Sequence, residues 1–379
     1  MSQTAALDLS SLFQPFSHGP LHLANRIVMA PMTRCFSPGG VPGADVAAYY
    51  RRRAEGGAGL IITEGTWIPH HAAANEENAP RFYGDDALSG WRHVVAQVHA
   101  AGGKIMPQLW HTGLTRRPVL ENLYEAVVED LSLKVSPSGY VMPGEKIGEG
   151  MTGAQIEALI EAYAQGALTA KTLGFDGVEI HGAHGYMVDQ FFWHETNKRT
   201  DGWGGATLAE RARFGVEMIR ACRALVGPNF PIILRFSQWK LQDYTAKLAQ
   251  TPQELASFLE PLADAGVDIF HASQRRFWEA EFPGSDLNLA GWAQKLTGKP
   301  AITVGSIGLE QEMLQTMFSP EPAAQSRLDR LIEMLGRGDF HLAAIGRALL
   351  ADPQWALKIR GHAEAALLPY SVAALASLS

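Results

Sequence analysis

The chain reads as an α/β protein built on a (β/α)8 barrel, the TIM-barrel architecture, with a capping insertion after the third strand. Three observations lead there. Short apolar runs rich in β-branched residues recur eight times, at 26–32, 59–64, 104–110, 176–181, 231–236, 267–272, 300–305 and 340–347. Amphipathic helical patterns lie between them, at 44–55, 86–101, 152–173, 207–226, 251–265 and 310–334. Polar residues gather where the apolar runs end. Runs that are apolar on both faces suit strands covered on both sides, and alternation with helices implies parallel pairing through right-handed crossovers. Eight such units in succession close into a barrel. An open doubly wound sheet is the structural alternative, but no Gly-x-Gly-x-x-Gly follows the first run.

A length of 379 residues suits one barrel domain, 1–379, with insertions. The hydrophobic fraction of 46% is enough for a large core. A formal charge of −7 argues against a nucleic-acid or anionic-membrane partner. The tight basic cluster Arg51-Arg52-Arg53 lies in the 44–55 helical pattern and reads as a solvated face. Cys35 and Cys222 are the only cysteines, which excludes a disulfide framework or a cysteine-held cluster and fits a reducing compartment. No apolar stretch approaches the roughly 20 residues that span a bilayer. Residues 1–11 lack a basic segment followed by an apolar one, so no signal peptide and a cytoplasmic location are expected.

Taken in order, the strand ends carry a consistent polar set, which is where a barrel keeps its chemistry. The first ends in Ala30-Pro31-Met32-Thr33 and the second in Thr63-Glu64-Gly65-Thr66. The third ends in Gln108-Leu109-Trp110-His111. The stretch that follows, 112–150, is rich in proline and glycine and too long for an ordinary loop, so it reads as the cap over the barrel mouth. The fourth run, Val178-Glu179-Ile180-His181, stops at glycines and is followed by His184 and Tyr186. A helical turn there would put His181 and His184 on one side, with a phenol beside two imidazole donors. Such a group can hold a carbonyl oxygen and deliver a proton next to it. The fifth run contributes Arg235 and is followed by a polar, aromatic rim loop at 238–250. The seventh and eighth end in Gly305-Ser306 and Gly346-Arg347. Small residues there let backbone N–H groups approach a ligand, and with one guanidinium they suit a phosphate monoester. Each residue alone has a structural reading: Gln108 as a hydrogen bonder, Arg235 as a rim ion pair, the glycines as tight turns. Their occurrence on successive strands points to a site.

Four segments resemble the old yellow enzyme family of FMN-dependent ene-reductases. They are Asn25-Arg26-Ile27-Val28-Met29-Ala30-Pro31-Met32-Thr33-Arg34, Gln108-Leu109-Trp110-His111-Thr112-Gly113, His181-Gly182-Ala183-His184-Gly185-Tyr186-Met187-Val188-Asp189-Gln190-Phe191, and Asn197-Lys198-Arg199-Thr200-Asp201-Gly202-Trp203-Gly204-Gly205. Ser136-Pro137-Ser138 and Pro143-Gly144-Glu145 match as well, and the likeness runs from about residue 12 to 357. The resemblance implies FMN, with Pro31, Met32, Thr33, Gly65 and Gln108 along its ring. Thr33 would bond the ring carbonyl near N5, Arg235 would sit by the N1/C2 carbonyl edge, and Gly305, Ser306, Gly346 and Arg347 would hold the phosphate. It further implies NAD(P)H as reductant and an enone, enal or nitroalkene as substrate. His181 and His184 would hold the substrate carbonyl, hydride would pass from N5 to the β-carbon, and Tyr186 would protonate the α-carbon. Relatives often form dimers or tetramers. The likeness departs at Leu114, where the family commonly has arginine, at Ser306, where glycine is common, and at 236–240 and 273–278. Trp110, Phe277 and Trp278 could stack on substrate or pack in the cap. Two other readings remain: a metal-dependent barrel hydrolase using His181, His184 and Glu64, and a flavin-binding protein without turnover.

Overall fold

In the computed structural model, residues 7–73, 77–115, 134–311, 315, 322–323 and 328–379 are described. Eight parallel strands close a barrel in sequential order. They are β1 (Ile27–Met29), β2 (Leu60–Trp67), β3 (Ile105–Trp110), β4 (Val178–His184), β5 (Ile232–Lys240), β6 (Ile269–Ser273), β7 (Ala301–Val304) and β8 (Leu342–Ile345). Closure comes from β8 on β1, with Ala343 opposite Ile27 and Ile345 opposite Met29. The expected barrel is therefore present, and the open sheet is not.

Helices α1 (Ala44–Glu55), α2 (Asp85–Ala100), α3 (Gly153–Leu173), α4 (Met187–Phe192), α5 (Arg213–Val226), α6 (Pro252–Ala265), α7 (Leu289–Thr297) and α8 (Asp329–Arg337) accompany the strands. Their starts follow local chemistry. Thr152 and Gln155 form a reciprocal capping box at α3, so two otherwise orphaned N–H groups are satisfied. Thr251 caps α6 and Asn288 caps α7 through side-chain oxygens. The pattern at 207–226 is split: Thr207 and Glu210 cap a one-turn helix, Leu208–Arg211, before α5 begins. In the expected helix at 310–334, residues 312–314, 316–321 and 324–327 lie outside the described residues, as do 116–133 of the cap. Within the expected span, residue 315 is helical and α8 begins at Asp329, running past the expected end to Arg337.

The barrel interior has two storeys. The lower one is aliphatic: Val28, Leu60, Ile62, Ile233, Ile269 and Ile302 meet there, closed from below by Phe16, Leu21 and Leu23. The last three belong to an antiparallel hairpin, Phe16–His18 with Leu21–Leu23. The upper storey is polar and is described with the site. A larger apolar layer packs the outer strand faces against the helices.

Two expectations need correction. The basic triplet is a solvated face only in part: Arg51 is partly exposed beside Glu55, but Arg53 is fully buried. Its guanidinium lies 3.8 Å over the Tyr49 ring and donates to the carbonyls of Leu350 (2.9 Å) and Ser379 (2.5 Å). Arg52 donates to the Leu378 carbonyl, and Arg34 to that of Ser377 (2.7 Å). Carbonyls 300 residues downstream consume these charges, which an amphipathic pattern does not reveal. The rim loop also begins later than expected. Strand β5 continues through Lys240, whose side chain is buried, so polar residues 237–240 belong to the strand.

Candidate active site

The fourth strand carries the centre of the site. His181 and His184 do lie together, with ring centroids 5.1 Å apart at 85°. A helical turn is not the cause. Strand β4 runs on to His184 and its register against β5 shifts between Gly182 and His184. Strict alternation would send residues 181 and 184 to opposite faces; over this stretch β5 advances four residues against two on β4, and the break in extended backbone at His184 returns it to the side of His181. His184 itself sits at φ 66°, a left-handed conformation unusual for a residue with a Cβ. Tyr186 follows at the N-cap of α4, its ring 5.0 Å from His181. Trp110 backs both, edge-on to Tyr186 at 5.1 Å and stacked near His181 at 6.3 Å.

Both imidazoles are neutral. Burial holds each well below the usual histidine range, and the Arg235 charge pushes the same way. His181 Nδ1 accepts the Ala183 N–H at 3.3 Å, which leaves the proton on Nε2. His184 Nε2 lies 2.7 Å from Ser273 Oγ, and its ring stacks on Trp239 at 4.3 Å.

Beneath this triad lies the polar storey of the barrel. Gln108 donates through Nε2 to Glu179 Oε1 (2.7 Å), and His271 Nδ1 donates to Glu179 Oε2 (2.6 Å). A carboxylate only accepts, so the Gln108 amide must turn its nitrogen down and leave its carbonyl upward. Arg235 aligns across the strands with His181 and His271. It donates to Ser273 Oγ at 3.3 Å, and its Nε is buried without a protein partner. Burial lowers its proton affinity and the Glu179 carboxylate opposes that, so the guanidinium remains charged.

At the ends of β1 and β2, Glu64 holds the turn after Thr33. Its Oε2 accepts the backbone N–H groups of Arg34 (2.8 Å) and Cys35 (3.0 Å), while its own N–H donates to the Tyr50 hydroxyl. Burial raises the Glu64 carboxyl to about 7, against the pull of those two N–H groups. Pro31 is buried, and Met32 and Thr33 are half-buried at the turn. Gly65 pairs with Gln108 across β2 and β3, and a Cβ on it would come within 2.6 Å of the Trp110 ring.

The last two strands end as a cradle. Gly305 has φ +142°, and a Cβ there would lie 2.6 Å from the Gln274 carbonyl oxygen. Ser306 takes φ 53°. Arg347, just after Gly346, donates to Ser306 Oγ (3.3 Å) and to the Gln311 carbonyl (2.9 Å), which joins the two loops. The cap is pinned by the 197–205 segment: Arg199 donates to the carbonyls of Pro137 (2.7 Å) and Met151 (2.5 Å), and Ser138 donates to that of Thr196 (2.7 Å). Phe277 is buried and meets Trp278 edge-on at 5.2 Å, and Trp110 is buried too.

Sequence reasoning left Glu179, His271, Ser273 and the Lys240–Asp189 pair unassigned. A glutamate inside Val178-Glu179-Ile180 and a histidine inside Ile269-Phe270-His271 were the available signals, since charge in a doubly covered strand needs a partner. Among the described residues no three of His, Cys, Asp or Glu converge as a metal site would require, and Glu64 is turned to backbone N–H groups.

The NADH:flavin oxidoreductase / NADH oxidase family model matches residues 11–324. The chain therefore belongs to this family of oxidoreductases, the old yellow enzyme family, whose cofactor is FMN with a nicotinamide nucleotide as reductant. It is 38% identical over 224 residues to 12-oxophytodienoate reductase 7 of Oryza sativa subsp. japonica, covering 58% of this chain and 56% of that protein. It is 32% identical over 363 residues to NADH oxidase of Thermoanaerobacter brockii, covering 92% of this chain and 50% of that protein. The chain thus spans about half the length of these curated relatives. Morphinone reductase in complex with tetrahydroNAD superposes with a TM-score of 0.74 at 27% identity, over 96% of this chain and 93% of that one.

The residues present suit FMN. A buried guanidinium with an unpartnered Nε, an upturned Gln108 carbonyl, and a glycine-lined cradle closed by Arg347 offer donors and acceptors to a ring and a phosphate.

Proposed function

We propose that this protein is an NAD(P)H-dependent ene-reductase that reduces the activated C=C bond of α,β-unsaturated carbonyl or nitro compounds. The observation that carries the reading is the convergence of His184 and Tyr186 on His181, their ring centroids 5.1 and 5.0 Å from its own, at the mouth of a barrel whose floor holds Arg235. FMN, when bound, supplies hydride transfer between a reduced nicotinamide and an acceptor. Pro31, Met32, Thr33, Gly65 and Gln108 would line its ring, Arg235 would compensate negative charge on it, and Gly305, Ser306, Gly346 and Arg347 would hold its phosphate.

His181 and His184 donate hydrogen bonds to the substrate carbonyl or nitro oxygen. That draws electron density from the alkene and makes its β-carbon electrophilic. Neutral imidazoles suit this task, because a donor that stays bonded to its proton polarises the oxygen without protonating it. Tyr186 gives its phenol proton to the α-carbon as the β-carbon accepts hydride. Trp110 packs against His181 and Tyr186 and fixes their spacing. The test is Tyr186→Phe followed in two half-reactions by stopped flow. Reduction of the bound flavin by NADH or NADPH should stay within about twofold. Reoxidation by cyclohex-2-enone should slow by about 10²–10⁴-fold, the usual contribution of a positioned acid. Equal losses in both halves would remove Tyr186 from the role.

A further inference from the structure

We infer that Ser273 is a positioning residue that sets which nitrogen of His184 carries the proton, and that it ties this imidazole to Arg235. The inference rests on the assignment of His184 as a carbonyl donor. Ser273 ends β6, is buried, and touches three groups that face the mouth from β4 and β5. Its Oγ is 3.3 Å from Arg235 Nη2 and 2.7 Å from His184 Nε2; its backbone carbonyl accepts the Trp239 indole N–H at 3.1 Å.

The donor inventory fixes the direction of the bond from Arg235. A guanidinium has no acceptor, so Ser273 Oγ accepts from Arg235. Its second lone pair and its one proton are both open to His184 Nε2, and the inference assigns the proton to this shorter contact. An imidazole that accepts at Nε2 keeps its proton on Nδ1. His181, whose Nδ1 accepts the Ala183 N–H, has the opposite arrangement. The two rings therefore offer different nitrogens, which suits two rings 85° apart that serve one oxygen. The orientation of His184 is fixed from three further sides. Trp239 stacks on its face, Ser237 Oγ accepts its backbone N–H at 2.9 Å, and Tyr244 stacks on Trp239 at 5.3 Å. Those contacts hold the plane of the ring, whereas Ser273 meets one of its two nitrogens and so discriminates them. Ser273 also passes the pull of Arg235 along the chain of bonds: a hydroxyl that accepts from a cation is a stronger donor to the next group.

The experiment uses FMN-loaded protein labelled with 15N-histidine. His184 is assigned by loss of its signals in His184→Asn. In the wild type its Nδ1 should show the shift of a protonated nitrogen and its Nε2 that of an unprotonated one. Ser273→Ala should collapse this distinction or reverse it, and Ser273→Thr, which keeps the hydroxyl, should restore it. Cyclohex-2-enone binding, followed by perturbation of the flavin spectrum, should weaken about tenfold in Ser273→Ala and less than twofold in Ser273→Thr. A wild-type His184 protonated on Nε2, or a tautomer unchanged in Ser273→Ala, overturns the inference. His184→Ala tests the underlying reading separately: enone affinity unchanged in that variant sinks the carbonyl-donor role, whatever the Ser273 variants show.

Discussion

Lysine 240 offers a quantitative test of how the acid loop is held. Its Nζ lies 2.6 and 2.8 Å from the two Asp189 oxygens and 3.2 Å from the Ser237 carbonyl, with both charged side chains fully buried. Asp189 Oδ2 also accepts the Gly185 N–H at 2.7 Å, one residue before Tyr186. Lys240→Met keeps the stem but leaves the carboxylate uncompensated, a loss of about 3–5 kcal/mol. At roughly 2 °C per kcal/mol for a long chain, the apparent unfolding temperature of the FMN-loaded protein should fall by roughly 6–10 °C at a fixed heating rate. The double variant Lys240→Met with Asp189→Leu should fall less, because its main debt is one unsatisfied Gly185 N–H of about 1–3 kcal/mol. The pH dependence has a definite sign. Burial raises the Asp189 proton affinity and the lysine charge opposes it. Without that charge the affinity rises further, so the native state keeps a proton that the unfolded chain releases above about pH 3.9. Stability then declines as pH rises through that window, and the deficit of Lys240→Met shrinks toward acid. A fall under about 2 °C, or a deficit that grows toward acid, would refute the assignment of the pair as the clamp on the loop.

Two more outcomes follow from buried geometry. Glu64, raised from 4.5 to about 7, binds its proton more tightly in the folded chain, so its contribution is complete below pH 4.5 and is lost as pH rises through 7. That amounts to about 3 kcal/mol, and Glu64→Gln should flatten the decline in unfolding temperature between pH 5 and 8; parallel curves for the two proteins would contradict it. Gly65→Ala places a methyl 2.6 Å from Trp110 Cε3, and the indole is boxed in by Trp67, His181 and Tyr186. Overpacking of about 1–3 kcal/mol is expected, and thermal unfolding should show it shrinking in a Trp110→Leu background; an equal cost in both backgrounds would place the strain elsewhere.

The barrel was legible because its strands are runs of apolar, β-branched residues bounded by glycine, and its helices carry capping residues at their starts. The identity of His181, His184, Tyr186 and Arg235 as a group was legible for the same reason: each stands at the end of such a run. What brings His184 beside His181 was not. A register shift with a non-glycine residue at positive φ leaves no pattern in sequence, and a helical turn predicts the same proximity. Strand β5 was cut short at 236 because Ser237, Gln238 and Lys240 are polar on both faces, and only Asp189, 51 residues away, makes a buried Lys240 tenable. Arg53 misled for a related reason: its partners, the carbonyls of Leu350 and Ser379, are backbone atoms that any residue could supply.

The two-storey interior of the barrel bears on how this scaffold tolerates change. Below, aliphatic side chains interchange one at a time, each swap felt only through its own volume. Above, hydrogen bonds tie Gln108, Glu179 and His271 into one set and Arg235, Ser273 and His184 into another. Because Arg235 and His184 share the Ser273 hydroxyl oxygen, altering any one of the three rewires the others, so variation aimed at new chemistry should sample each set in pairs while the ground floor is left alone.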